Sequence, residues 1–313
     1  MKYLIKRAGF MAFTVFAVCA LTFFLMNVIP GGTAELILKH TLIGLEESAT
    51  EEQLSQISSR YNLDDPLYLQ FYWWVKEAVL RGDIGTSYIY NKPVLYLLTL
   101  RLPATVQLAG ASMAIATLAG VSLGIYSALQ ENRISDHILR IVTLFGVSMP
   151  GFWIALILII IFSLKLKLVQ VSGYGNLENL ILPAAALSLH SVAAVMRVTR
   201  TSMLETLGQE YIRFAKAKGL PVWKIISRHA LKNAMLPVVT VIGFQMGNLL
   251  GGAVVIEKIF AWPGIGSLLV DSISARDLPM VQGCVLAIVT MFLLVNFIVD
   301  ILYTHLDPRI RYG

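Results

Sequence analysis

Residues 208–237 read GQEYIRFAKAKGLPVWKIISRHALKNAMLP, a cation-rich stretch that lies between two long apolar runs. Positions 197–232 hold eight basic residues and only two acidic ones, Glu205 and Glu210. The basic residues are Arg197, Arg200, Arg213, Lys216, Lys218, Lys224, Arg228 and Lys232. Because short loops rich in lysine and arginine stay on the cytoplasmic side of a membrane, this stretch predicts a cytoplasmic loop.

The apolar side chains of the same stretch recur at helical spacing. Four of them occupy positions i, i+3, i+7 and i+10, which share one face of an α-helix. They are Leu204, Leu207, Tyr211 and Phe214. Gly219 then predicts a helix end, and Pro221 suits the first turn of a second helix. We therefore expect a helix, a corner and another helix at the inner membrane face, with one side free to bind a partner. The other interpretation is a basic loop that only fixes topology.

The composition excludes a soluble globular domain. Apolar residues make up 57% of the chain, charged residues 14%, and the mean hydropathy is +0.71, which is typical of an integral membrane protein. The net charge of +6 resides in short loops and at the N-terminus, so it does not indicate nucleic-acid binding. Cys19 and Cys284 fall in apolar runs, where we expect packing residues with neither a disulfide nor a metal site. The sequence has no G-x-x-x-x-G-K-[ST] motif for nucleotide hydrolysis.

Six apolar runs predict an all-α membrane protein with six spans. The runs are 8–29, 102–129, 138–164, 180–198, 234–256 and 280–303. Lys2, Lys6 and Arg7 precede the first run and predict an uncleaved first span with a cytoplasmic N-terminus. Within the third run, Pro150 predicts a kink because proline removes a helix hydrogen bond.

The spans divide the chain into four parts. We assign residues 1–29 to the cytoplasmic N-terminus and first span, and residues 30–100 to an extracytoplasmic insertion. This insertion is acidic and rich in aromatic residues, with a capping-box pattern at 50–53 and an amphipathic segment at 67–80, so we expect it to fold. Residues 101–304 are expected to form a five-span core that contains the basic loop at about 205–233, followed by a cytoplasmic tail at 305–313.

A series of motifs runs along the whole chain. They are NLDDPLYLQFYWWV, GDIGTS, LPATVQLA, SMPGFW, ILPA, EYIRFAKAKGL with HALKNA, IEKIFAWPGIG, ARDLPMVQG and LVNFIVDILYTHLDPRIR. With these motifs the chain resembles the membrane-spanning permeases of ABC importers in the dipeptide, oligopeptide and nickel family. The resemblance implies a type I importer permease fold in a bacterial inner membrane. It also implies four partners, namely a second homologous permease, two ATP-binding subunits and an extracytoplasmic solute-binding protein.

The resemblance also assigns a role to the basic loop. In that family the corresponding loop is a coupling helix that sits in a cleft of the ATP-binding subunit. The positions that correspond to it are Glu210, Tyr211, Arg213, Phe214, Ala215, Lys216, Ala217, Lys218 and Gly219. Ala215 and Gly219 match the small residues of the family's motif, whereas Arg213 stands where that motif has a glutamate. ATP would be bound and hydrolysed by the partner subunits, so we expect no catalytic residue, cofactor or resident metal in this chain.

Polar residues inside the spans are candidates for the solute path, since such residues face a bundle interior or water. The candidates are Gln107, His190, Gln245 and Asn248. His190 could contact the solute or a metal, or it could form a hydrogen bond between helices. The glycines at 243, 247, 251 and 252 lie near Gln245 and Asn248, and this glycine-rich face could pack closely against a helix or line the pore.

These observations predict a transport subunit that forms half of a translocation path. The expected solutes are small peptides, or nickel carried as a chelate, delivered by the solute-binding protein. The alternative is a self-contained pore or channel, which needs no docking helix. An intramembrane enzyme is disfavoured because the sequence shows no paired acids, Ser/His pair or histidine cluster in its spans.

Overall fold

The computed structural model describes residues 2–28, residue 55 and residues 64–306. Within these residues the chain is helical, and its only strand-like pairing is an isolated bridge between Thr86 and Pro93. The helices are α1 (Lys2–Val28), α2 (Leu67–Arg81), α3 (Val94–Leu129), α4 (Ile134–Ser148), α5 (Gly151–Lys165), α6 (Leu177–Leu207), α7 (Glu210–Ala217), α8 (Val222–Ile259), α9 (Ile265–Ser274) and α10 (Leu278–Leu306). The predicted all-α class is confirmed.

Four of the described helices, α3, α6, α8 and α10, are long and apolar enough to cross a membrane. The pair α4 and α5 adds a fifth span if the two are counted together, and α1 has a shorter apolar part at Gly9–Leu25. The described residues therefore give four or five spans by length and composition, and the count of six stays a prediction. Residues 50–53 of the predicted insertion and residues 307–313 of the tail lie outside the described residues.

Two spans are longer than their apolar runs. Helix α3 begins at Val94 and not at 102, and it continues through Pro103. Helix α6 extends to Leu207, well beyond the predicted end at 198. The apolar run marks only the part suited to lipid, whereas backbone hydrogen bonds continue the helix into polar sequence. The predicted fifth run, 234–256, is likewise the centre of the longer α8.

The predicted interruption of the third span is confirmed, and it is a sharp corner. Met149 has extended backbone angles (φ −83°, ψ 134°) and Pro150 caps the next helix. The axes of α4 and α5 differ by 110° across this break. A residue before proline is disfavoured in the helical region, which explains why α4 ends here.

The chain folds as two compact units. The first comprises Met1–Pro103 with Pro263–Met291, and its core includes Ile84, Val94 and Met280. Asp277 organises a turn in this unit, because it accepts a hydrogen bond from the Ser87 hydroxyl and others from backbone N–H groups at 88, 89 and 280. Cys19 and Cys284 are both buried, in agreement with the predicted packing role.

The second unit comprises Ala104–Trp262 with Phe292–Gly313. Helix α6 lies at its centre and packs against α4, α5 and α8. Small residues allow close approach, since a Cβ atom on Gly124 of α3 would lie 2.8 Å from the Met196 carbonyl oxygen of α6. At the far end of this unit, the buried Trp262 donates from Nε1 to the Ala104 carbonyl at 2.8 Å.

Candidate functional site

Helix α7 is a separate helix of eight residues within the basic stretch. Helix α6 ends at Leu207, Gly208 and Gln209 form a turn, and α7 begins at Glu210. Its inward side chains are Ile212 and Ala215, which are almost fully buried. They belong to a hydrophobic core cluster beneath the loop. Its buried members are Ala128, Met203, Ile212, Ala215, Ile225, Ala230 and Ala234. The loop is therefore folded onto the helices that precede and follow it.

The outward face of α7 carries aromatic side chains. Phe214 is 62% exposed and Tyr211 is 43% exposed, and beyond the corner Val222 and Trp223 are also exposed. The four residues predicted to share one helical face, Leu204, Leu207, Tyr211 and Phe214, are divided between α6 and α7. The break at 208–209 resets the helical register, so that Ile212 and Ala215 face inward instead.

Gly219 forms the corner after α7. Its φ of +77° lies in the left-handed region, and its N–H donates to the Lys216 carbonyl at 2.9 Å. A Cβ atom added to Gly219 would meet no heavy atom within 4 Å, so the requirement for glycine is conformational and not steric. The predicted helix end at Gly219 is confirmed, as is the new helix start after Pro221.

Helix α8 runs from Val222 to Ile259 without a break, with a π-helical segment at Ile225–Ala230. The second helix of the loop is therefore continuous with a span. The first helix is not, because the turn at 208–209 separates α7 from α6.

The residues assigned to coupling by resemblance are exposed, with Ala215 as the exception. The exposed set is Glu210, Tyr211, Arg213, Phe214, Lys216, Ala217, Lys218 and Gly219. Two contacts fix the orientation of the exposed side chains on α7. Asn233 of α8 donates from Nδ2 to the Tyr211 hydroxyl at 2.7 Å, and the Lys218 ammonium lies 4.8 Å from the Phe214 ring centroid. A larger side chain at Ala215 would disturb the core beneath α7 before it met any partner.

A cavity of about 280 Å³ lies where α6 and α8 meet the corner between α4 and α5. Its polar lining consists of His190, Ser191 and Asn248, and the rest is mostly apolar. The amides form a chain, since Asn248 donates to Gln245 at 2.9 Å and Gln245 donates to Ser191 at 3.3 Å. The cavity can hold a small solute group and offer it an imidazole and an amide.

The four predicted path residues separate into three environments. His190 and Asn248 are exposed and line the cavity. Gln245 is buried behind Asn248, where it orients that side chain. Gln107 is exposed on α3 and does not line the cavity. Both interpretations of His190, solute contact and an interhelical hydrogen bond, stay predictions.

The glycine-rich face of α8 packs against another helix along one part and borders the cavity along another. Gly243 and Gly247 pack against α10, where a Cβ atom on Gly247 would lie 2.7 Å from the Phe292 ring. Gly251 has open space around it, and Gly252 lines the cavity. The helix interface and the cavity wall therefore follow each other along one helix.

An ion pair between α4 and α6 was not predicted from the sequence. The fully buried Asp136 accepts from Arg200 Nε at 2.8 Å and from its terminal nitrogen at 2.7 Å. It also accepts from the Ser127 hydroxyl at 2.5 Å and from the Asn132 N–H at 3.2 Å. The sequence held one signal for this ion pair, namely Asp136 next to the apolar run 138–164. A charged side chain that is buried requires a partner of opposite charge.

Comparison with known proteins decides the family. Residues 120–312 match the family described as binding-protein-dependent transport system inner membrane component. Residues 1–109 match the N-terminal segment of membrane components of the same transport systems. The chain belongs to this family.

Full-length relatives of this permease are transport subunits. It is 38% identical to the probable D,D-dipeptide transport system permease protein of Escherichia coli K12, over 98% of this chain and 97% of the relative. It is 36% identical to the dipeptide transport system permease protein of Alkalihalophilus pseudofirmus, over the full length of both chains. The glutathione transport system permease protein of Escherichia coli is 38% identical over 100% of this chain and 99% of that protein.

The fold is also found in solved structures. The inward-facing MetNI methionine ABC transporter has a chain that matches with a TM-score of 0.57 at 17% identity, covering 68% of this chain and 97% of that one. The likeness confirms the type I importer permease fold. The chain is thus a multi-pass membrane permease subunit of an ABC importer, and the channel alternative is wrong.

Proposed function

We propose that α7 and the first turn of α8 form the element through which an ATP-binding subunit drives this permease. The observation that carries the proposal is the two-sided character of α7. Its inner face is anchored by Ile212 and Ala215, and its outer face presents Tyr211 and Phe214 to solvent. Exposed aromatic groups surrounded by cations are typical of a protein-binding surface.

The anchoring matters for transmission of movement. A partner can shift the permease only if the surface it touches is rigidly joined to the spans. Here α8 continues from the loop into a membrane helix, and the Asn233–Tyr211 hydrogen bond ties α7 to it. Movement of the docked subunit is therefore transmitted to α8 and to the cavity that α8 lines.

The surrounding assembly is proposed as follows. The chain crosses the membrane six times, with both termini and the loop at about 205–233 in the cytoplasm and residues 30–100 outside. It pairs with a second homologous permease, two ATP-binding subunits and a solute-binding protein. The ATP-binding subunits bind and hydrolyse ATP, and this chain contributes no cofactor. The +6 charge and its concentration in short loops support this orientation.

The proposed solute is a small peptide. Relatives named for D,D-dipeptide, dipeptide and glutathione transport support this choice. The exposed His190 and Asn248 can form hydrogen bonds to peptide groups within the cavity. Nickel is the second candidate, and it would travel as a chelate, because the described residues contain no group of three metal-binding side chains.

The test is the replacement of Phe214 and Trp223 by alanine in the complete transporter in liposomes. Each ring is expected to act as a binding hot spot, so its loss should weaken docking by about 2 kcal/mol, or roughly thirtyfold in affinity. The measurement is ATP hydrolysis stimulated by loaded binding protein. Phe13→Ala provides the control, since it removes a similarly exposed phenylalanine from α1.

Normal stimulation in both loop variants would show that this surface does not dock the ATP-binding subunit. The same assay separates the two solutes, because the binding protein can be loaded with a dipeptide or with a nickel chelate. Stimulation by the nickel chelate alone would contradict the peptide assignment.

A further inference from the structure

Helix α6 carries one exposed line of polar side chains although most of the helix is buried. The exposed residues are His190, Arg197, Thr201 and Glu205, with the half-buried Ala194 between the first two. These positions are separated by four, three, four and four residues, so they share one face of the helix. The line begins at the cavity and ends near the loop that contains α7.

A second concavity lies on this face, between α4 and α6. It measures about 470 Å³, larger than the first cavity. Its polar lining is His137, Arg140, Thr143, Arg197, Arg200 and Thr201. Since His190 lines the first cavity and Arg197 the second, the two concavities follow one another along α6.

The three arginines of this groove differ in availability. Arg200 uses two nitrogens to hold the buried Asp136, so its charge is already balanced. Arg140 and Arg197 are exposed, and neither has a carboxylate within 4 Å in the part of the chain that the structure describes. A free guanidinium group binds a carboxylate with two parallel hydrogen bonds.

This face does not suit lipid. His190 lies within the apolar run 180–198, where a polar side chain is costly in hydrocarbon, and Arg197 and Thr201 follow on the same face at the end of that run. By contrast, the exposed side chains of α3 include Val106, Ile115 and Leu118, as expected for a lipid-facing surface. The polar character of this line on α6 is typical of a face that is turned toward water and away from lipid.

We propose that this face of α6, together with Arg140 of α4, lines the inner half of the solute path. Arg140 and Arg197 bind a carboxylate group of the solute as it leaves the cavity. The inference rests on the proposed permease function and adds a chemical class, namely solutes that carry a free carboxylate. His190 forms the boundary between the cavity and this basic groove.

The experiment probes a cysteine in the groove with thiol reagents of opposite charge. Cys19 and Cys284 are replaced, Thr201→Cys is introduced, and the complete transporter is placed in lipid nanodiscs without nucleotide. The anionic sulfonatoethyl and the cationic trimethylammonioethyl methanethiosulfonates then compete for the same site. Two free guanidinium groups nearby should favour the anionic reagent, and Arg140→Gln with Arg197→Gln should lower the rate ratio by about tenfold. Arg133→Gln, an exposed arginine outside the groove, should leave the ratio unchanged.

A second arm tests the carboxylate directly. N-acetyl-Ala-Ala, which has one negative charge, should slow labelling of Thr201→Cys at millimolar concentration. Its C-terminal amide, which is neutral and of similar size, should not. The glutamine variants should abolish the difference between the two peptides.

The proposal is overturned if Thr201→Cys is unreactive toward both reagents, since the face would then be covered by lipid or by a subunit. A rate ratio equal to that of the two reagents with a small free thiol in solution, or a ratio that the glutamine variants do not change, overturns it as well. ATP-dependent uptake by the cysteine-free parent is measured first. Loss of that uptake would contradict the permease function itself, whereas normal uptake with no anion preference would contradict only the basic groove.

Discussion

Arg200 and Arg213 lie in the same basic stretch, but the fold surrounds them differently. Arg200 on α6 is largely buried and holds the carboxylate of Asp136 with two hydrogen bonds. Arg213 on α7 is exposed, beside the exposed Phe214. The first cation stabilises the contact between α4 and α6, while the second remains available to a partner. Cation content alone therefore does not identify a docking surface.

The free-energy cost of a substitution should also differ between the Arg200 site and the Arg213 site. Breaking a buried ion pair leaves an uncompensated charge, which costs far more than removing an exposed one. Exposed ion pairs and charges contribute little to the stability of the fold, because water already solvates them. Substitutions in the first region should therefore reduce the amount of folded permease, and substitutions in the second should change its coupling.

Arg200→Leu should have the largest effect. The variant leaves Asp136 buried without its cation, and we expect a loss of about 3–5 kcal/mol in stability. The measurement is thermal unfolding of the detergent-solubilised permease, together with its abundance in membranes.

The double variant Arg200→Leu with Asp136→Leu is the matched control, since it removes both charges and should recover much of the lost stability. Arg213→Gln should stay close to the parent protein. If Arg200→Leu unfolded at the parent temperature, the ion pair would not stabilise the α4–α6 contact.

Tyr211→Phe should have a smaller effect, confined to the loop. The change removes the hydrogen bond from Asn233 and should weaken the attachment of α7 by about 1 kcal/mol. Trypsin can report this, because Arg213, Lys216 and Lys218 are exposed on or just after α7. Cleavage there should be about fivefold faster, since 1.4 kcal/mol corresponds to a factor of ten. Tyr126→Phe, a partly exposed tyrosine on α3, should not alter the rate.

Much of the architecture could be predicted from the sequence. Apolar runs located α1, α3, α6, α8 and α10, and Pro150 marked the corner between α4 and α5. These features depend on local composition, which a single sequence displays. Helix ends were less predictable, because α6 continues past the apolar run as far as Leu207.

The orientation of side chains could not be predicted equally well. The periodic pattern through Leu207 and Tyr211 assumed one helix, but the turn at 208–209 changed the register. Asp136 and Arg200 are far apart in sequence, so no local pattern joined them. The exposure of His190 depends on how α6 packs against α5 and α8, which is a tertiary property.

The proposed coupling role requires that the loop transmit movement to the spans through a fixed corner at Gly219. A β-branched side chain is disfavoured at a φ of +77°, so Gly219→Val should cost about 1–2 kcal/mol at the corner. Gly219→Asn is the control, because asparagine tolerates the left-handed region and the space around this position is open.

The decisive measurement is ATP hydrolysis by the reconstituted transporter with and without loaded binding protein. We expect Gly219→Val to insert normally yet lose most of the stimulation and the uptake, and Gly219→Asn to keep both. Full stimulation and full uptake with Gly219→Val would contradict the coupling role and leave the stretch as a topology signal only.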